Sequence, residues 1–134
     1  MAEKAYAQIN EQGWIGQDGT NSYGGIVAGS FADALTHVTG QKTKSDSLNL
    51  NDILAGLDGS KMIALSSKAD VGSGIVPDHA YGLVGYDPTT KLFTLYNPWQ
   101  HDGPIPSTDG SDDGIIKLSW SAITSNFDGW ACNL

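Results

Sequence analysis

The chain has a single cysteine, Cys132, so it can form no internal disulfide, and one thiolate does not make a metal site. Cations are scarce as well: 7 Lys and Arg stand against 15 Asp and Glu, a net charge of -8 that would repel a phosphate backbone. Nucleic acid is therefore excluded as a partner. No apolar run approaches the ~18 residues that a membrane span needs. Repeats, low-complexity tracts and an internal linker are also missing, so residues 1–134 read as one domain with one modest core. Met1 leads straight into "AEKAYAQINEQ", without the basic and apolar stretches of a secretory leader. The chain reads as soluble, with its compartment open between cytoplasm and exterior.

What the chain does have is glycine, 17 residues of it, and an ordinary hydrophobic share of 40%. Glycine marks many turns and thereby delimits the elements. "AEKAYAQINEQ" places Ala2, Ala5, Tyr6 and Ile9 at helical steps and stops at Gly13. The glycine-rich loop "WIGQDGTNSYGG" follows, where Gly24 and Gly25 form either a plain turn or a close approach for a ligand backbone. "SFADALTHV" is a helix with Ser30 as N-cap and Asp33 at the capping-box position, ended by Gly40. A third helix in "LNLNDILAGLDG" is capped by Asn49 or Asn51 and closed by Gly59. "KMIALSS" reads as a buried strand and "KADVGSGIVP" as a loop of small residues. After a long hairpin, "HDGPIPSTDGSDDG" has the Gly, Pro, Asp and Ser of a surface loop. "IIKLS", "WSAITSNF" and "GWACNL" close the chain as strand, short helix and strand. Helices come first and strands later, with no long crossover helices between strands, so the class is α+β with an antiparallel sheet.

The hairpin "HAYGLVGYDPTTKLFTLYNPW" carries the chemistry. Its arms have β-branched, aromatic and small residues at strand spacing; Pro88 presets the turn, and Pro98 ends the second ladder just after Asn97. His79 then falls opposite residues 97–99. If the residue numbers of facing partners add to an even total, His79 and Asn97 share a face; if to an odd total, they do not. A two-residue turn at Pro88 and Thr89 gives the odd register, while a three- or five-residue loop or one bulge gives the even one. In the even case the Asn carboxamide can accept from an imidazole N–H, fixing the ring and freeing its other nitrogen as a base. Trp99, of the same parity, would cover that bond. The plain alternative is a structural strand histidine and a turn-forming Asn before Pro.

The segments HAY and NPW at this separation resemble the His and Asn segments of calpain-type cysteine peptidases. In the same order "EKAYAQI" resembles the helix between that family's Cys and His segments, "DALTHVTG" its TG-ended helix, and "GWACNL" the strand that closes its protease core. Together these span nearly the whole chain. The resemblance implies the C-terminal, His/Asn-bearing half of a papain-like core. His79 would then be the general base and acid, Asn97 its orienting partner and Trp99 the shield. The family's Cys and oxyanion-hole Gln lie upstream of the EKAYA helix, so no nucleophile is expected in this chain. Cys132 falls where the family has a structural cysteine. The abrupt start inside a helix reads as truncation. The expected function is a share in peptide-bond hydrolysis, the chain alone being inactive, with a peptide or protein substrate and the Cys-bearing half as partners. The open cleft face would favour a homodimer. Two positions depart from the family: Asp78 precedes the His and Gln100 follows NPW, where many members have Gly. Asp78 would raise the imidazole pKa or point away and do nothing.

No cofactor is expected, though calcium is left open: animal calpains bind it near this loop, and Asp102, Asp109, Asp112 and Asp113 lie there in no matching pattern, as solvated turn residues. His37, His79 and His101 show no metal-ligand spacing; His37 reads as a surface or boundary residue of its helix and His101 as solvated. Trp14, Trp120 and Trp130 read as core or interface. The competing function is a non-catalytic interaction module on a peptidase frame. A third, a calcium- or sugar-binding domain, predicts thermal stabilisation by its ligand.

Overall fold

A computed structural model of the chain describes residues 2–26, 29–72, 74–102 and 110–134. Helix α1 (Ala2–Glu11) is closed by Gly13 at φ +75, with Gly13 N–H donating to Asn10 O and Trp14 N–H to Ile9 O. A short 3-10 turn (Gly24–Ile26) precedes α2 (Phe31–Thr39). Ser30 caps α2 by accepting from Asp33 N–H, and Gly40 ends it in the left-handed conformation. Strand β1 (Thr43–Ser47) leads to α3 (Leu50–Asp58), capped by Asn49 rather than Asn51. Strands β2 (Ile63–Ser67), β3 (Ala80–Asp87), β4 (Leu92–Tyr96) and β5 (Ile115–Ser119) follow, then α4 (Trp120–Asn126) and β6 (Phe127–Asn133).

The strands form one antiparallel sheet in the order β1-β6-β2-β3-β4-β5, so the class is α+β. Strand β1 is an addition to the elements expected from sequence. "TKSDS" has no apolar alternation to mark it, yet all five residues pair with β6. Its backbone groups find partners because β6 is already held against β2, and that tertiary template outweighs weak intrinsic propensity. Lys44 and Asp46 keep this sheet edge charged, which discourages pairing with another chain.

One face of the sheet carries the core. Alternate residues of the inner strands (Leu65, Tyr81, Leu83, Phe93, Leu95, Trp130) meet Ile53 of α3 and Ile123 of α4 there. On the opposite face α2 packs across β1, β6 and β2, with Phe31 above Gly129. Trp120 packs at the core margin and Trp130 lies within it, but Trp14 is 77% exposed. Of the two places expected for Trp14, the core is ruled out: it follows the αL closure of α1, which turns the chain outward into the loop.

Candidate active site

His79 immediately precedes β3 and Asn97 immediately follows β4, so the hairpin register decides whether they meet. Asp87 faces Leu92 across a four-residue loop, tied by Asp87 Oδ1 to Thr89 N–H and Oδ2 to the Thr90 hydroxyl, both at 2.8 Å, with Lys91 left-handed. That loop alone would put His79 and Asn97 on opposite faces. The register shifts between Leu83 and Gly85, where Val84 bulges outward, and beyond it Leu83 faces Leu95 and Gly82 faces Tyr96. Continued to the strand ends, this register sets Tyr81 opposite Asn97 and His79 opposite Trp99. His79 and Asn97 thus share a face as diagonal neighbours.

The side chains touch: His79 Nε2 lies 2.9 Å from Asn97 Oδ1. The surrounding bonds fix which group donates. Asn97 Nδ2 donates to His101 O at 2.8 Å, and Trp99 N–H donates to Asn97 Oδ1 at 3.0 Å, so Oδ1 is the carboxamide oxygen. His79 must then donate from Nε2. In the neutral ring this leaves Nδ1 with a lone pair, and Nδ1 has no hydrogen-bond partner among the described residues. Asn97 is fully buried. The Trp99 ring lies 4.3 Å from the His79 ring, centroid to centroid, and Tyr81 meets it edge-on at 5.2 Å. Trp99 covers one side of the pair while itself half exposed.

Two buried groups hold the His79 backbone. Ser67 Oγ accepts from His79 N–H at 2.9 Å and gives its own proton to Val76 O at 2.7 Å, while Ser67 N–H donates to His79 O at 2.9 Å. Tyr81 OH accepts from Val76 N–H at 2.9 Å, which secures the loop leading into His79. Neither residue was marked as a site residue by the sequence: a serine ending "IALSS" and a tyrosine in "HAY" look like ordinary strand residues. Asp78 adopts φ +49, is exposed, and donates its N–H to Lys68 O at 3.1 Å.

Burial lowers the His79 pKa from its ordinary 6.5, with the Asn97 bond opposing that shift. The direction is opposite to the one a flanking Asp78 carboxylate would cause, and Asp78 is not among the causes of the shift. The imidazole is therefore neutral near pH 7 and suited to accept a proton. Linkage gives the sign of the stability effect. A base with a depressed pKa in the folded state contributes its full stability above 6.5 and loses it as pH falls through the folded value. Asp18 and Asp87 lose stability in the same direction, but only below their ordinary 3.8: both are lowered, Asp18 first by Thr20 N–H and Asp87 first by the Thr90 hydroxyl. Unfolding free energy should thus decline in two separate steps on acidification. His79→Gln should remove the upper step and spare the lower, as read by urea denaturation across pH. An upper step persisting in the variant would assign it elsewhere.

Beside the pair lies a cleft of about 580 Å³ with an apolar lining that includes Ile26, Phe31, Leu35, Ala80 and Pro98, together with His79. A second cleft of about 640 Å³ shares Tyr6, Gln17, Gly29 and Ser30 with it but lacks His79. Gly25 is buried against the loop itself, where a β-carbon would collide with the Asp18 carboxylate and the Thr20 hydroxyl, so its glycine serves the turn. His37 is exposed on α2, 2.9 Å from Tyr6 OH through Nδ1. His101 is exposed, and its carbonyl is the partner of Asn97 Nδ2. Cys132 is buried in β6, facing Lys44 and Ile63. From Ile63 to Ser67, the neighbour of His79, is four residues of β2, or about 13 Å, so the thiol and the imidazole are apart.

Among the acidic-loop residues, Asp109 lies outside the described residues. Asp112 Oδ1 accepts from Asp102 N–H, and Asp113 Oδ1 from Ile115 N–H. Asp102 corrects the expectation of a solvated turn residue: it is fully buried, with Oδ1 accepting from Gly114 N–H. Among the described residues no group of three or more His, Cys, Asp or Glu gathers as metal ligands, and no helix is long and apolar enough to cross a membrane.

Gln100 closes the turn after Asn97 at φ +63, with its N–H on Asn97 O at 3.0 Å. A left-handed non-glycine residue costs about 1–2 kcal/mol, against about 0.5–1 kcal/mol for the extra chain entropy of Gly. Gln100→Gly should therefore stabilise the protein by about 0.5–1 kcal/mol in urea denaturation. A destabilised variant would mean that the Gln100 side chain contributes contacts outweighing that strain.

No family model matches the chain, and no curated protein matches it.

Proposed function

We propose that this chain supplies the base and its orienting partner to a calpain-like cysteine endopeptidase site. The observation that carries the reading is the His79 Nε2–H···Oδ1 Asn97 bond, which leaves Nδ1 without a partner among the described residues. A second observation supports it. The two positions where the calpain-type resemblance has glycine, Asp78 and Gln100, are both left-handed here, at φ +49 and +63. Glycine is the residue such positions favour, and Asp is among the side chains that tolerate them.

In this reading the nucleophilic thiol comes from another segment or chain, since Cys132 is buried and distant. His79 Nδ1 takes the thiol proton as sulfur attacks the scissile carbonyl carbon. The imidazolium returns that proton to the leaving amine, and a thioester remains. Nδ1 then deprotonates water, which attacks the thioester and releases the acid and the thiol. Asn97 keeps the ring from rotating throughout.

The test joins this chain to a calpain-type Cys-bearing segment and measures covalent labelling by a thiol-directed peptidyl electrophile. Labelling that depends on His79 supports the reading. Undiminished labelling in His79→Ala ends it, and an assembly that never labels favours the interaction module instead.

A further inference from the structure

We infer that Asp102 is a positioning residue for the His79–Asn97 pair, acting through Gly114; this rests on the reading of that pair as base and orienter. A fully buried carboxylate in a turn-rich polar segment calls for a physical reason, because burying the charge is costly unless hydrogen bonds offset it. Asp102 Oδ1 accepts from Gly114 N–H at 2.9 Å. On its other side Gly114 accepts through its carbonyl from Asn97 N–H at 2.7 Å. One residue thus joins the buried carboxylate to the backbone of the orienting Asn. Gly114 is left-handed at φ +77, and a β-carbon there would stand 3.0 Å from Asn97 O, 3.1 Å from His101 N and 3.2 Å from Gln100 C.

The circuit closes on itself. Asn97 O accepts from Gln100 N–H, Asn97 Nδ2 donates to His101 O, and Asp102 N–H donates to Asp112 Oδ1 at 2.7 Å. The 97–102 turn and the 112–114 segment are therefore laced together at the point where Asn97 leaves β4. Hydrogen bonds to a carboxylate are roughly twice as strong as neutral ones. Asp102 fixes Gly114, Gly114 fixes the Asn97 main chain, and the carboxamide is held in reach of Nε2.

The His79 Nε2–H proton gives a readout on the intact chain without any peptidase activity. Its solvent-exchange rate by NMR reports how tightly the Asn97 bond is kept, and the Leu95 amide reports global opening. Asp102→Ala should speed Nε2–H exchange about ten-fold, the equivalent of one lost bond of about 1.4 kcal/mol. Asp102→Asn, which keeps an accepting oxygen, should speed it only about three-fold, and it serves as the test should the alanine variant fail to fold. Gly114→Ala should also speed it by crowding Asn97 O. Ile53→Val, a core substitution outside the bonds that hold the pair, should speed Leu95 exchange and leave Nε2–H exchange itself unaltered. Wild-type Nε2–H exchange in both Asp102 variants, with Asn97→Ala exchanging fast, overturns this inference alone. Unchanged exchange in Asn97→Ala overturns the reading of the pair and this inference with it.

Discussion

His79→Ala should slow acylation of the assembled site by about 10²–10⁴-fold, the usual contribution of a positioned general base. The effect is expected to be chemical rather than structural. The His79 ring is only partly buried, whereas its backbone bonds to Ser67 survive the substitution. The variant should therefore bind peptide electrophiles and unfold near the wild-type midpoint while labelling slowly. Asn97→Ala should give a smaller loss of rate. The imidazole stays in place but can rotate, and His101 O, Trp99 N–H and His79 Nε2–H all lose their side-chain partner. The measurements are the second-order labelling rate and a urea curve on the same preparation. A labelling loss that merely tracked unfolding in both variants would remove the catalytic meaning of the pair.

Trp130→Ala should cost about 3–5 kcal/mol, the range for deleting a fully buried large aromatic. Against a total stability of about 5–15 kcal/mol, that brings the domain close to unfolding at room temperature. Trp130 is 1% exposed and sits at the crossing of three strands, facing Asp46 of β1 and Leu65 of β2. Its Nε1–H donates to Ser47 O at 3.1 Å, so the indole also fastens the end of β1, and Lys44 Nζ lies 5.0 Å above the ring. Trp130→Phe keeps most of the apolar area and loses this bond, so a cost of about 1–2 kcal/mol is expected. Chemical denaturation separates the two. An alanine variant within about 1 kcal/mol of wild type would contradict the packing of β1, β6 and β2 around this side chain.

Several elements are legible in the sequence because their cause is local. Ser30 and Asn49 cap helices through their own side chains, Gly40 ends α2 because it alone bears no left-handed penalty, and the apolar residues of "KMIALSS" and "KLFTLY" mark strands. Other features depended on distant partners. "TKSDS" is a strand only because β6 lies beside it. Asp102 looks solvated in a run of Gly, Pro and Asp, yet it is buried with its carboxylate on the N–H of Gly114, twelve residues on. Trp14 looks like a core or interface residue by composition, and the turn after α1 keeps it out of the core.

The candidate site divides along the same line. His79 and Asn97 on the two arms of one hairpin follow from residue order alone, because a short turn at Pro88 must fold one arm back along the other. Whether the imidazole and the carboxamide meet was open to an error of a single residue, since side chains alternate between faces at every step. That question was decided by the bulge at Val84, which no local pattern announces, and by the loop packing of Asp102 and Gly114 around Asn97. A chain's order sets which groups can approach each other; the register that brings them into contact is set by the strands packed on either side.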